Sequence, residues 1–145
     1  MNEVIVDAGT MLAMFLPGPC QEQADRLLDK MNRGIIRLAA PDLMVVEFGE
    51  ILSGLLTENR LNMGEAQRIF SCFIDCPLET IPAVDLMHAA FELMTVNSLP
   101  FRTAMYLAAA ARYRSCLITM DDSICRLAVA AAMSDLCQHL QRMVD

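Results

Sequence analysis

Two short apolar segments with the character of β-strands each lead into carboxylates. Residues 4–6 run straight into Asp7, and residues 117–119 precede the pair Asp121 and Asp122. In a sheet of parallel strands the carboxyl ends lie along one edge, so these acids are expected to meet there although they are far apart in the sequence. Carboxylate oxygens gathered at such an edge are suited to holding a divalent cation.

A third acid, Glu47, lies among apolar residues between these two segments. A hard cation such as Mg²⁺ prefers oxygen ligands, keeps several waters and often needs only one or two direct carboxylates. If Asp7, Glu47 and Asp121 gather around it, they can orient and activate a water molecule for attack on a phosphodiester. Without a cation the same acids would repel one another, and their pKa values would rise. Taken singly, each acid is also typical of a helix cap or a solvated residue, so the sequence leaves their convergence open.

Strand-like and helical segments alternate along the chain, punctuated by proline and glycine. Strands are predicted at residues 4–6, 35–39, 78–81 and 117–119, and helices at residues 10–16, 20–32, 43–57, 62–76, 84–96, 101–113 and from 122 or 123 onward. Asn62 and Glu65 have the spacing of a capping box at the start of one helix. From residue 130 the tail is either helical or includes an edge strand near residues 136–140. The alternation indicates an α/β domain with a mainly parallel sheet and helices on both faces.

Length and composition favour one cytoplasmic domain. The 145 residues suffice for a single domain, residues 1–145, with a sizeable core. No apolar run approaches the roughly 18 residues that span a bilayer, and the N-terminus lacks the basic region and long apolar segment of a signal peptide. We therefore expect no membrane span and a cytoplasmic location. The six cysteines form no Cys-x-x-Cys pattern, so we expect reduced thiols rather than a zinc site or a disulfide framework.

The net charge of −7 disfavours binding to nucleic acid, because phosphate affinity comes mainly from lysine and arginine. The charge is unevenly distributed, however. Residues 101–145 hold five of the 11 bases but only four of the 18 acids. This last third of the chain is slightly basic, and its arginines are either a nucleic-acid contact or a solvated helix face.

Three other classes of site fit the sequence less well. A Rossmann nucleotide site needs a glycine-rich loop after the first strand, and none follows Asp7. A phosphoacceptor receiver domain is expected to have an acid pair after the first strand and a lysine after the last, whereas the only lysine is Lys30. For covalent catalysis, neither His88 nor His139 has a recognisable serine or cysteine partner, and both are predicted to lie in helices.

Five short segments, spread over nearly the whole chain, share the order and spacing of one protein family. They are Ile5-Val6-Asp7-Ala8, Ala40-Pro41-Asp42-Leu43 leading to Glu47, Arg60-Leu61-Asn62, Ala104-Met105-Tyr106-Leu107-Ala108 and Leu117-Ile118-Thr119-Met120-Asp121. Through these segments the chain resembles the PIN-domain family and, within it, the small single-domain VapC-type toxins.

The resemblance implies a PIN-like three-layer α/β/α domain with a mainly parallel central sheet. It further implies a metal-dependent endoribonuclease that uses Mg²⁺ or Mn²⁺ to hydrolyse phosphodiester bonds of RNA and is commonly paired with an antitoxin that blocks the site. Asp7 matches the first acid of the family, Glu47 the second and Asp121 the last, while Thr119 matches the hydroxyl residue two positions before the last acid. These three acids are the expected catalytic and metal-binding residues.

PIN domains of this size commonly pair, and the 12 methionines and many alanines agree with a buried helical interface. We therefore expect a homodimer.

The position of the third acid departs from the family pattern. Where an Asp is expected before the alanine of the late helix, this chain has Thr103. A threonine can hydrogen-bond a metal-bound water but brings no charge, so the affinity for the cation should fall. Glu50, one helical turn from Glu47, is a candidate to supply the missing carboxylate, and Asp122 is another. Arg102 has the opposite effect if it points inward, because its guanidinium can pair with the remaining acids in the cation's place.

Two functional interpretations follow. In the first, the chain is a PIN-type ribonuclease whose metal site is incomplete and whose activity is reduced. In the second, it is a catalytically degenerate PIN domain that acts as a binding or regulatory protein, with apolar helices that engage a second copy or an antitoxin-like chain. The uncharged Thr103 favours the second interpretation, whereas the three acids and Thr119 favour the first.

Overall fold

Five strands form a central sheet in the computed structural model, which describes residues 2–143. The strands are β1 (Asn2–Val6), β2 (Ile36–Pro41), β3 (Leu78–Ile81), β4 (Leu117–Thr119) and β5 (Cys137–His139). Their order across the sheet is β3-β2-β1-β4-β5, and every neighbouring pair is parallel. The carboxyl ends of the adjacent strands β1 and β4 therefore lie at the same edge of the sheet.

Helices connect these strands and cover both faces of the sheet. They are α1 (Ala8–Ala13), α2 (Gln21–Asn32), α3 (Leu43–Thr57), α4 (Met63–Asp75), α5 (Ala83–Asn97), α6 (Phe101–Arg112) and α7 (Asp122–Ala130), with short 3₁₀ turns at Ser134–Leu136 and Leu140–Arg142. The arrangement confirms the three-layer α/β/α architecture that the sequence predicts. None of these helices is both long and apolar enough to cross a membrane.

The central strand β1 and its neighbour β2 are inaccessible to solvent over part of their length. Ile5 and Val6 of β1, and Leu38 and Ala39 of β2, have no exposed surface. Strands that are covered on both faces appear in a sequence as continuous apolar runs rather than as an alternating pattern. The apolar run of β1 ends at Val6 in the core, so Asp7, the next residue, lies at the carboxyl edge of the sheet in a fixed position.

Helix α6 is also buried along most of its length. All of residues 103–110 are buried, and many of them are alanine. The small side chains let the helix lie against β1, β2 and β4 on one side and against α5 on the other. This packing fixes the direction of the longer side chains that α6 presents at the sheet edge.

Two elements differ in detail from the sequence-based predictions. The first helix, α1, begins at Ala8 rather than at residue 10, because the Asp7 carboxylate caps it by accepting the Thr10 backbone N–H at 2.9 Å. In the tail, the alternative with an edge strand is confirmed by β5. His139 ends this strand, so the expectation that it lies in a helix is wrong.

The predicted capping box at the start of α4 is present and provides a test of local stability. The Asn62 side chain accepts the Glu65 N–H at 2.8 Å, and the Glu65 carboxylate accepts the Asn62 N–H at 3.2 Å. We expect Asn62→Ala to lower the free energy of unfolding by about 1 kcal/mol, since it removes the acceptor for one helix N–H. Urea denaturation measures this change. Gln67→Ala, an exposed substitution in the same helix, is the control and should change it by less than about 0.5 kcal/mol.

Candidate functional site

A cavity of about 460 Å³ opens at the carboxyl edge of the sheet, where β1 and β4 end. It is lined by residues from four parts of the chain. The acids among them are Asp7, Glu47, Asp121 and Asp122, and the other polar side chains are Arg102 and Tyr106. The three acids singled out by the sequence therefore lie around one cavity, together with the neighbouring Asp122.

Asp7 is held at the end of β1 by two hydroxyl-bearing residues. Its carboxylate accepts the Thr10 N–H at 2.9 Å and the Thr119 hydroxyl, and only 8% of its surface is exposed. Burial raises the pKa of the Asp7 carboxyl above its ordinary value, and the negative charge of Asp121 adds to the rise, while the hydrogen bonds from Thr119 and Thr10 oppose it. Asp7 is thus an acid of fixed position that gains a proton more readily than a solvated aspartate.

Thr119 connects the ends of the two strands. Its fully buried hydroxyl donates to the Asp7 carboxylate and accepts the backbone N–H of Asp121 at 3.0 Å. The residue that the family resemblance marks two positions before the last acid therefore orients both strand-end acids. A second cross-strand contact, from the Thr10 hydroxyl to the Ile118 carbonyl at 3.0 Å, supports the same junction.

Asp121 is exposed and caps α7. Its Oδ1 accepts the Ser123 N–H at 2.8 Å and the Ser123 hydroxyl at 2.6 Å. The Ser123 hydroxyl is the main cause that lowers the pKa of the Asp121 carboxyl. Burial opposes it, and backbone N–H groups and the charge of Arg126 each lower the pKa by a smaller amount. Asp121 therefore stays ionised where Asp7 tends toward the neutral form.

Both oxygens of the Glu47 carboxylate face polar partners. The Tyr106 hydroxyl donates to Oε1 at 2.7 Å, and Oε2 lies 3.4 Å from Nε of Arg102. Burial and then the hydrogen bond to Glu47 raise the pKa of Tyr106, so the phenol remains a donor. Arg102 points inward, which meets the condition under which its guanidinium pairs with a site acid, although 65% of its side chain is exposed, against 17% for Glu47.

Asp122 has basic neighbours of its own. One of its oxygens lies 3.9 Å from Nη2 of Arg142 and 3.7 Å from Nε2 of His139. The imidazole accepts the Gln141 N–H at Nδ1, which leaves Nε2 to donate to the Met120 carbonyl at 3.1 Å. His139 thus braces the loop between β4 and α7 that carries Asp121 and Asp122.

Two of the proposed supporting residues lie outside the cavity. Glu50 is exposed and lines a separate hollow on the surface of α3, so the structure does not bring it to the cavity. The physical reason is its angular position, since three residues along a helix leave a side chain about 60° away from the direction of Glu47. Thr103 is 5% exposed, is buried within α6 and is not among the residues that line the cavity.

Sequence reasoning missed Tyr106 and His139 as parts of the site. Tyr106 follows Arg102 by four residues, a spacing that places both on one face of α6, and that spacing was the available signal. For His139 no such signal exists, because β5 has only three residues and is defined by its pairing with β4.

The carboxylates around the cavity are of the kind that binds a hard cation, but they lie too far apart to enclose one. Among residues 2–143, no three aspartate, glutamate, histidine or cysteine side chains converge tightly enough to surround one metal ion. Asp7 and Asp121 are the pair linked through Thr119, and Mg²⁺ or Mn²⁺ can be held by one or two carboxylates with water completing the coordination. A cation at Glu47 Oε2 would compete with Arg102 for that oxygen.

Solved structures with a similar fold include toxin–antitoxin complexes. The structure is similar to PAE2754 from Pyrobaculum aerophilum, with 19% identity, a TM-score of 0.62, and coverage of 97% of this chain and 92% of that one. It is also similar to VapBC2 from Rickettsia felis bound to a DNA fragment from their promoter, with 12% identity, a TM-score of 0.67, and coverage of 94% of this chain and 98% of that one. A toxin–antitoxin complex from Klebsiella pneumoniae matches with 16% identity, a TM-score of 0.53, and coverage of 84% and 89%, respectively.

Two comparisons made with the sequence found no match. No protein-family model and no curated protein matches the chain. At identities below a fifth, the likeness to the three solved structures concerns the fold. The chain therefore has a PIN-like, VapC-like three-layer α/β/α fold, in agreement with the resemblance carried by its short motifs.

Proposed function

We propose that this chain is a toxin-type endoribonuclease that requires Mg²⁺ or Mn²⁺ and has a weakened cation site. The observation that carries the proposal is the shared cavity of Asp7, Glu47 and Asp121 at the carboxyl edge of a parallel sheet. Ligands of open α/β sheets bind at that edge. Four carboxylates line this cavity, those of Asp7, Glu47, Asp121 and Asp122.

Asp7 and Asp121 are the residues that would hold the cation, with Glu47 as an additional ligand or as an acceptor for a bound water. When bound, the cation would activate water for hydrolysis of a phosphodiester. The chain's own residues prepare this site: Thr119 orients Asp7, Ser123 keeps Asp121 ionised, and Tyr106 holds Glu47 in place.

Three features support a weakened affinity for the cation. Thr103 brings no charge at the position where the family resemblance expects an acid. Arg102 places a positive charge 3.4 Å from Glu47, where it competes with a metal ion. Burial raises the pKa of Asp7, so a proton competes with the cation for this carboxylate more strongly than for a solvated aspartate. A site with these features requires a high concentration of metal ion.

The proposed partners are RNA, an antitoxin-type protein and a second copy of the chain, in the cytoplasm. Two of the structural neighbours are toxin–antitoxin complexes, which supports the antitoxin. Large apolar side chains exposed on α3, α4 and α5 support a protein partner: Val45, Val46, Met63, Phe70, Ile74, Val84, Met87 and Phe91. Arg102, exposed at the mouth of the acidic cavity, is the base best placed to contact an RNA phosphate.

Incubation of the purified protein with a fluorescent single-stranded RNA of mixed sequence tests the proposal. We expect cleavage that needs millimolar Mn²⁺, stops with excess EDTA and increases as the pH rises. The pH dependence follows from Asp7, because its raised pKa leaves less of the metal-binding anion at low pH than a solvated aspartate would. Cleavage that persists in EDTA, or that is strongest at acidic pH, would contradict the proposal.

A second candidate function, a degenerate domain that acts only as a binding or regulatory protein, is favoured by the contact between Arg102 and Glu47. An arginine paired with a site acid can neutralise that acid without any cation. In this case titration calorimetry at millimolar Mn²⁺ would detect no binding and the RNA assay no cleavage. Light scattering would still detect a dimer or a complex with an antitoxin-type chain.

A further inference from the structure

Two cysteines that the proposed function does not use lie side by side near the site. Cys125 is in α7 and Cys137 is at the start of β5, and their sulfur atoms are 3.5 Å apart. All six cysteines of the chain are free thiols in the structure. The sequence predicted isolated reduced thiols, and nothing in the spacing of the cysteines indicated that these two would meet.

We propose that Cys125 and Cys137 are a thiol pair that forms a reversible intramolecular disulfide when the protein meets a low-molecular-weight disulfide such as oxidised glutathione. A disulfide has its sulfur atoms about 2.05 Å apart, so bond formation needs the two atoms to approach by roughly 1.5 Å. Both side chains are half-buried rather than enclosed. The sulfur atoms thus start in contact, and an oxidant of low molecular weight can reach them.

The chemistry balances with oxidised glutathione as the oxidant. The Cys125 sulfur, as thiolate, attacks one sulfur of glutathione disulfide and releases one glutathione thiolate. The Cys137 sulfur then attacks the Cys125 sulfur of this mixed disulfide, forms the Cys125–Cys137 bond and releases the second glutathione. Two electrons pass from the protein to glutathione disulfide, and the two thiol protons end on the two glutathione molecules. Burial raises the pKa of the Cys137 thiol, which is why Cys137 is assigned the second, intramolecular step.

A third cysteine nearby, Cys116, serves as an internal comparison. Its thiol is directed to the Leu117 carbonyl at 3.5 Å, and burial raises its pKa to about 11. It makes no close sulfur contact of the kind that Cys125 and Cys137 make. The disulfide is expected to exclude Cys116.

The cross-link would join two elements that flank the acidic cavity. The N–H of Cys125 bonds to the Asp121 carbonyl at 3.4 Å, so Cys125 lies one turn after the acid that caps α7. β5 begins at Cys137 and ends at His139, whose ring contacts the Met120 carbonyl. Oxidation is thus expected to fix the first turn of α7 against the sheet edge and to raise Tm by about 5–10 °C.

The experiment uses the full chain at neutral pH in buffers with graded ratios of oxidised to reduced glutathione. Free thiols are alkylated, the intact mass is measured, and the linked peptides are identified after digestion. We expect the oxidised wild type to keep four alkylated cysteines and to yield one cross-linked peptide that joins Cys125 to Cys137. Dithiothreitol should restore six alkylated cysteines and reverse the rise in Tm.

Serine variants separate this pair from the other thiols. Cys116→Ser should form the same cross-link, whereas Cys137→Ser should form none and should keep the Tm of the reduced protein under oxidation. Any of three results would overturn the proposal: six alkylated cysteines in folded wild type at high oxidised glutathione, a cross-link that includes Cys116, or a persistent glutathione adduct on Cys125. Because peptide mapping is done on the wild type, the decision does not depend on a variant that fails to fold, and it does not depend on ribonuclease activity.

Discussion

Asp7→Asn is expected to abolish metal-dependent RNA cleavage and, at the same time, to make the protein more stable at neutral pH. The loss of activity follows from charge. An amide in place of the Asp7 carboxylate cannot supply the negative charge that would hold a cation beside Asp121. We expect the rate of cleavage to fall by about 10²–10³-fold, the size typical of removing one electrostatic contact from an active site.

The gain in stability follows from burial of the same group. Asp7 is 8% exposed, and burial raises the pKa of its carboxyl above the ordinary value of 3.8. The folded protein thus binds this proton more tightly than the unfolded chain does. Below pH 3.8, ionisation of Asp7 does not lower the free energy of unfolding. As the pH rises from 3.8 to the pKa of the folded state, the free energy of unfolding falls progressively. Above that pKa the loss stays constant.

The asparagine side chain removes that cost and keeps the hydrogen bond that caps α1. Its oxygen can still accept the Thr10 N–H, and asparagine is as good a helix cap as aspartate. Its NH₂ group then faces the Thr119 hydroxyl, which can accept as well as donate. We expect the free energy of unfolding at pH 7 to rise by about 0.5–2 kcal/mol, as is common for stabilising substitutions at functional positions. The gain should shrink as the pH is lowered toward 4.

Urea denaturation at pH 7 and pH 4, together with the RNA assay at saturating Mn²⁺, tests both effects. Asp85→Asn, a matched exchange at an exposed position in α5, should leave activity unchanged and alter stability by less than about 0.5 kcal/mol. If the Asp7→Asn protein cleaves RNA at the rate of the wild type, Asp7 is not a residue of the active site. A less stable Asp7→Asn protein would show that the folded chain stabilises the charged form.

The fold could be predicted from local patterns because those patterns are strong here. Apolar runs that end in an acid or a proline marked the central strands, and the Asn62 and Glu65 spacing marked the start of α4. The edge strand β5 was left as one of two alternatives, since three residues carry too little periodicity to identify a strand. Its pairing with β4, a tertiary contact, decides the outcome.

The part of the candidate site that depends only on the strand order could be predicted from the sequence. Parallel strands bring their carboxyl ends to one edge, so the shared location of Asp7 and Asp121 followed from their places after β1 and β4. The partners of the Glu47 carboxylate could not be predicted from topology. They depend on the rotation of α6 about its axis, which directs Arg102 and Tyr106 toward α3. Rotation about a helix axis is set by packing, which local sequence patterns do not report.

Arg102→Ala is expected to increase the affinity for Mn²⁺, the reverse of the usual effect of altering a residue in a catalytic cavity. The substitution frees one oxygen of Glu47 and removes a positive charge from the neighbourhood of the incoming cation. The side chain of Arg102 is 65% exposed, so the surrounding water screens its charge, and the ion pair itself contributes at most about 1 kcal/mol. A gain in affinity of about 5–10-fold is therefore expected, the equivalent of roughly 1 kcal/mol.

Titration calorimetry with Mn²⁺ in the absence of RNA measures this affinity without reference to activity. Arg112→Ala is the matched control, because Arg112 lies in the same helix at its far end and is not among the residues that line the cavity. It should leave the affinity unchanged. Higher salt should narrow the difference between wild type and Arg102→Ala, since screening weakens the competing ion pair.

A double-mutant cycle with Glu47→Gln decides how Arg102 acts. If Arg102 competes with the cation for Glu47, the affinity gained in Arg102→Ala disappears once Glu47 is a neutral amide, and the two changes are strongly non-additive. If the gain persists in the double variant, Arg102 acts on the cation through its charge alone and Glu47 is not a ligand. Unchanged or weaker binding by Arg102→Ala would contradict the competition outright, and the acidic cavity would then owe its low affinity to the missing charge at Thr103.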